Sequence, residues 1–290
     1  MWRYQDVGSV PIDSSPAVDG ASVVFGTAAG SVVELNGATG AVRRVKLCAQ
    51  GKGVESSPAV VNGVIYVGSD NNMMTALSES TGTIFWQRKL GRAVLSSPAV
   101  DGATGQLFMG ASNGDGYSLS TATGAVLWTV VAVGAVTASP MVLGGAVYVG
   151  STSGVFYALS EQGGTSVWSF TTGGPITSSA ATLDGDIVMG SADKNVYWLS
   201  ADKGAVVNTI PVGSAVSGVS GAGPFDVAAT LNGTIIGSKP NAADPQAWVV
   251  APLGASSTIV SIPTVVNGEV FVTRQDGSVT CHTVPGSPPV

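Results

Sequence analysis

Asp13 and Glu55 are the residues whose type and placement come closest to chemistry. Each directly precedes a Ser-Ser-Pro-Ala-Val phrase, in IDSSPAV and VESSPAV, so both hold the same position in a repeated unit. Carboxylates at matching positions in neighbouring units repel one another, which raises at least one pKa, and a cation or an amine-bearing ligand would fit between them. Such a pair could ligate a metal or act as acid and base. The other reading is that two solvated carboxylates merely open their strands.

The remaining chemistry-bearing types are sparse. The one histidine, His282 in TCHTV, stands where sister segments carry Leu77, Leu119 or Leu159, and reads as a packed structural residue rather than a base. Cys48 (LCAQG) and Cys281 (TCHTV) are the only cysteines. They lack the CxxC spacing of a zinc or redox site and read as unpaired thiols. The many serines and threonines come without a GxSxG elbow. Ser69-Asp70-Asn71-Asn72 and Asn113-Gly114-Asp115-Gly116 have calcium-like letters, but neither has the full loop spacing, and turn chemistry accounts for both.

The elements that must position these residues follow from composition and repetition. Of 290 residues, 44% are hydrophobic, 10% are charged and 40 are glycine. That describes tightly turned strands around a large core rather than charged, exposed helices. With a formal net charge of −6 and no basic segment interleaved with aromatics, nucleic acid is set aside as a partner. No apolar run approaches the ~20 residues of a membrane helix, so no membrane span is expected. The start, MWRYQDVG, has no cationic segment followed by an apolar one, so any signal peptide was removed or never existed.

Phrases like SSPAV recur around Ser15, Ser57, Ser97, Ser139 and Ser179, with degenerate copies near Ser220 and Ile262, at a spacing of 40 to 42 residues. Each copy runs through an SSPAV strand, a turn such as VNG or LDG, a strand such as VIYVGS, a strand such as FYALS, and a TG followed by a strand that ends in tryptophan. Alternating or β-branched runs bounded by Gly, Asn and Asp are strands, and helical periodicity is missing. Four antiparallel strands that cannot bury both faces alone make a propeller blade. The expected fold is therefore all-β: a single seven-bladed β-propeller over residues 1–285. The seventh copy stops before its tryptophan strand, and residues 1–8, with Trp2, are expected to complete that blade. Residues 286–290 are expected to be a loose tail. The copy over 214–250 has lost most of the repeat's spelling.

The segments ALSESTGTIFW and ALSEQGGTSVW place Ala76, Gly82 and Trp86, and Ala158, Gly164 and Trp168, at a common spacing; Ser118, Gly124 and Trp128 follow it too. Blade one keeps Gly40 but has Arg44 at the tryptophan position, blade five keeps Gly204 with Asn208, and blade six keeps only Trp248. This pattern resembles the tryptophan-docking motif of the PQQ-like β-propeller repeat family, whose branches include quinoprotein dehydrogenases and BamB-like assembly factors. The resemblance implies that each indole lies on a glycine peptide and donates to a carbonyl, locking adjacent blades. It also implies what a quinoprotein enzyme would need: a quinone over calcium, a tryptophan floor, a disulfide of two adjacent cysteines and an aspartate base. No adjacent cysteine pair exists here, and the blades lack long insertions, so neither PQQ nor calcium is expected.

Charge is laid out unevenly. Arg3, Arg43, Arg44, Lys46, Lys52, Arg88, Lys89 and Arg92 are eight of the twelve basic residues, while Ala93 to Asp193 holds none and six acids. Charge on an outer strand is ordinary protection against edge pairing. That leaves the uncharged outer strands of blades three and four unexplained, and a docked protein or polymer on the basic sector (Arg43, Arg44, Lys46, Arg88, Lys89, Arg92) would explain the asymmetry. The expectation is a non-catalytic binding or scaffolding propeller in the periplasm, secreted or on a cell surface. The alternative is an enzyme or cofactor-binding propeller working at the channel mouth through Asp13 and Glu55.

Overall fold

A computed structural model describes residues 2–5, 10–132, 134–222, 225–238, 246–250, 258–259, 262–266, 269–275 and 278–283. The described residues are all β, with no helix. Blade one is β1 (Ala17–Asp19), β2 (Ser22–Gly26), β3 (Ser31–Asn36) and β4 (Val42–Leu47). Blade two is β5 (Ala59–Val61), β6 (Val64–Gly68), β7 (Met73–Ser78) and β8 (Ile84–Lys89). Blade three is β9 (Ala99–Asp101), β10 (Gln106–Gly110), β11 (Asp115–Ser120) and β12 (Val126–Val131). Blades four and five are β13 (Met141–Leu143) to β16 (Ser166–Thr171) and β17 (Ala181–Leu183) to β20 (Val206–Pro211).

The degenerate sixth copy also folds as four strands, β21 (Val216–Ala222), β22 (Phe225–Thr230), β23 (Ile235–Ser238) and β24 (Gln246–Val250). The seventh has three described strands, β25 (Thr264–Val266), β26 (Glu269–Thr273) and β27 (Val279–Thr283). Every sheet is ordered as the chain runs, and the fold is a seven-bladed β-propeller. Of the segment expected to close blade seven, residues 2–5 are described without a strand, and 6–8 lie outside the described residues, as does the tail 286–290. The chain divides into two compact units, Met1–Gly145 with Glu161–Thr165, and Ala146–Ser160 with Ser166–Val290.

The letters of the repeat each have a bonding duty. In the first unit, the first serine of SSP is buried and clips the end of the second strand. Ser14 Oγ accepts from Gly26 N at 2.7 Å and donates to Gly26 O at 3.1 Å; Ser56 does the same to Gly68 and Ser96 to Gly110. In the second unit Ser178 donates to Gly190 O. The second serine reaches the preceding blade: Ser57 Oγ accepts from Ser15 N at 2.9 Å, Ser97 Oγ from Ser57 N and Ser139 Oγ from Ser97 N, both at 3.1 Å. The hydroxyl at each position satisfies main-chain groups, and blade four has Ala138 in place of the first serine. The VNG and LDG turns put Asn62 and Gly63, and Asp184 and Gly185, at positive φ, the type I′ geometry that suits a two-residue hairpin.

A β-bulge in each outer strand aims the docking residue. Ala76 pairs with Trp86 and Leu77 with Ile84, so Phe85 is skipped; Leu127, Val167 and Val207 are skipped in the same way in blades three to five. In blade one the skipped residue is Arg43, between the pairs Glu34 with Arg44 and Leu35 with Val42. The bulge turns the skipped side chain outward and its neighbour inward. All five skipped residues are exposed.

Candidate functional site

The inward neighbours in blades one to four, together with Trp2 ahead of blade one, form fasteners between blades. In the first unit Trp2 Nε1 donates to Gly37 O at 2.8 Å, Trp86 to Thr121 O at 2.8 Å and Trp128 to Glu161 O at 2.8 Å. In the second, Trp168 donates to Ala201 O at 2.9 Å. Each acceptor lies three residues before the glycine under the ring, Gly40, Gly124, Gly164 or Gly204, and a Cβ on any of those glycines would strike the indole. Their φ values of +66° to +69° exclude most other residues as well.

Arg44 takes the tryptophan's part in blade one. Its stem lies over Gly82, whose Cβ would come 2.8 Å from Arg44 Cδ, and its Nη1 donates to Glu79 O, again three residues before the glycine. The same Nη1 lies 2.7 Å from Glu34 Oε2. Glu34 is only 5% exposed, and its Oε1 accepts from Ser22 Oγ at 3.0 Å. Arg43 Nη1 donates to Ser22 Oγ at 2.6 Å and stands 3.6 Å from Glu34 Oε1. A buried carboxylate therefore holds two guanidinium groups side by side. These groups, with Ser22, Glu79 and Ser80, line a surface depression of about 390 Å³.

The rest of the basic sector divides. Arg88 Nε donates to Gly124 O at 2.6 Å, beside Trp86, and so works as a second fastener. Lys89 and Arg92 are exposed, and Lys46 is half-buried. Trp248 departs from the pattern expected of it. It pairs across its sheet with Gly237 as Trp86 does with Ala76, but its ring lies so close to that glycine that a Cβ there would strike it. Among the described residues its buried indole N–H has no acceptor.

At the start of the first strands, Asp13 and Glu55 are both exposed. Glu55 is held above the usual carboxylate range by partial burial, then by the charge of Asp70 and a hydrogen bond with it, and last by Asp13. The nearer partner is thus Asp70, which the turn reading had set aside. Its backbone N donates to Gly53 O at 3.0 Å, drawing the second-strand end against the start of the blade, and its Oδ1 is buried without a hydrogen-bond partner among the described residues. The same backbone clip recurs at Ala28, Ser112 and Ala192; only blade two puts a carboxylate there. Aligning the repeats at this position is the signal that would have found Asp70. Glu55 and Asp70 can share a proton or attract one cation, but no group of three or more His, Cys, Asp or Glu able to hold a metal occurs among the described residues.

The remaining candidates are held in place. His282 Nε2 is 3.1 Å from Thr280 Oγ1, and burial and the Arg274 charge lower its pKa. Cys48 is buried in a cluster with Val24, Val32 and Ile65, and burial pushes its thiol up to about 11. Cys281 is exposed and both cysteines are free. No two cysteines are adjacent in the sequence, so the disulfide that the quinoprotein resemblance implies is missing.

A family model described as outer membrane protein assembly factor BamB matches residues 44–104 and 102–234. The chain belongs to the BamB-like family of PQQ-type propeller repeats. Among solved structures, the crystal structure of BamB from Moraxella catarrhalis is similar at 19% identity and a TM-score of 0.79, covering 97% of this chain and 87% of that one. The computationally designed protein Ika8 is similar at 16% identity and a TM-score of 0.83, covering 98% of this chain and 87% of its own. At such identities the likeness shows the fold. A comparison with curated protein sequences found no match. Arg44, the first matched residue, and Gly82 are a working fastener with the tryptophan replaced.

Proposed function

We propose that this BamB-like chain is a non-catalytic docking propeller that works outside the cytoplasm and holds a protein partner on the outer strands of blades one and two. The observation that carries the reading is the arginine pair at the blade-one bulge. It is fixed from beneath by Glu34 and flanked by exposed Val42, Val45, Leu47 and Phe85, the mix of arginine, aromatic and aliphatic surface that interface cores use. The family's description as an outer membrane assembly factor supports both the scaffold role and the compartment. A photo-crosslinking residue at Val45 in the native host should give a discrete adduct in the envelope fraction, while one at Val207, on the outer strand of blade five, should give none. Adducts at neither position, or only in the cytoplasmic fraction, would refute the proposal.

A second reading is favoured by one observation, the pairing of Glu55 with Asp70, which would suit a bound cation or cofactor. On the docking reading, calcium and PQQ leave the melting temperature unchanged. A saturable rise that a Glu55→Gln, Asp70→Asn double variant loses would favour the second reading instead.

A further inference from the structure

In blades one to five the bulge presents a side chain to solvent, and in four of these it is an apolar one: Phe85, Leu127, Val167 and Val207. Blade one presents Arg43. Beside it Arg44 is committed to the fastener, yet each guanidinium has N–H groups on three nitrogens, and the hydrogen bonds among the described residues use only Nη1 of each. About a third of each side chain is exposed, against 6% for Glu34. The conformational cost of ordering two arginines is therefore already met inside the protein, and both arginines line the depression together with Ser80.

Charge points the same way. The outer strands of blades one and two and the turn after them carry Arg43, Arg44, Lys46, Arg88, Lys89 and Arg92. Set against Glu34 and Glu79, these six cations leave a local +4 on a chain whose total is −6. A positive patch on an otherwise acidic molecule attracts negative partners, the acidic surface of a second copy among them. A carboxylate matches the fork of a guanidinium, bidentate and planar.

We infer that the depression at the blade-one bulge is a carboxylate-binding site that receives an acidic segment of a partner protein, with Arg43 as the principal ligand and Arg44 beside it. This rests on the docking reading above and names the chemistry of its partner. The probe is acetylated hexaglutamate, titrated calorimetrically into the intact chain. Saturable binding should weaken roughly tenfold in Arg43→Gln, as expected for loss of a hydrogen-bonded charge, and by less in Arg43→Lys. It should stay unchanged in Lys203→Gln, which removes an equal charge from an exposed position in blade five. Thermal melts of the variants establish that each is folded.

Absence of binding to the wild type would overturn the inference, as would equal weakening by Lys203→Gln, which would reduce it to net charge. Dimerisation in place of peptide binding would overturn it in favour of a second copy of the chain. Failure here together with an adduct at Val45 would leave the docking reading standing and remove only its acidic partner; failure of both would remove the docking reading.

Discussion

Arg44 shows how one residue can replace another of unrelated chemistry when geometry is shared. Tryptophan supplies a flat ring over glycine and one N–H for a carbonyl; arginine supplies an apolar stem over the same glycine and an N–H at the same carbonyl. The difference is charge, and Glu34 is its answer. An Arg44→Trp variant should therefore lose about 2 kcal/mol, a buried pair's cost reduced because the arginine is partly solvated. Adding Glu34→Gln should recover most of that. A double-mutant cycle by urea unfolding tests this; an Arg44→Trp protein as stable as the wild type would mean that Arg43 alone suffices for Glu34.

At the scale of elements, blade construction depends on side-chain clips as much as on ladders. Ser56→Ala removes both bonds to Gly68 and should cost about 1–2 kcal/mol. Blade four bears Ala138 at that position, so the fold withstands the loss of one clip. An unchanged urea midpoint for Ser56→Ala would show the clip to be idle. This division also explains what could be read from sequence. SSPAV, VNG and the Gly-to-Trp spacing were legible because each letter answers a local bonding demand that recurs in several blades. Asp70 was not, since the position is clipped through its backbone and any side chain is allowed there. Arg43 was visible only as charge, and Arg44 only as a charge standing where tryptophan belongs, because the bulge that sends one outward and the other inward leaves no mark in the spacing. Blade six kept its four strands after losing the spelling, as alternation and hairpin turns suffice for a sheet, and Trp248 settled over Gly237 of its own sheet.

For the molecule as a whole, the dependence of stability on pH turns on a few buried acids. Asp226 on β22 is 1% exposed and accepts from Trp198 Nε1 at 2.9 Å. Burial first, and then the charge of Asp184, raise its pKa to about 7 despite that bond. A raised carboxyl pKa makes the folded state the better proton binder. Its contribution is therefore fully present below the ordinary value of 3.8 and is lost as pH rises through about 7. Asp193 works in the opposite sense. Burial opposes its ionisation, but hydrogen bonds from Tyr197, Gly173 and Asn195 outweigh it and lower its pKa, so its contribution is lost in acid. Melting temperature should fall between pH 5 and pH 8, and Asp226→Asn, which keeps an acceptor for Trp198, should flatten that slope. An equal slope in the variant would place the titration elsewhere.

The fasteners between blades have one more consequence, for inheritance. In every case the donor is a side chain and the acceptor is a main-chain carbonyl of a neighbouring blade. A carbonyl belongs to every amino acid, so the receiving half of the joint cannot be erased by substitution; only the glycine beneath the ring must be kept. A duplicated copy of the repeat would thus arrive already able to receive its neighbour, and its donor could drift, as tryptophan has given way to arginine in blade one, without waiting for a matching change across the joint.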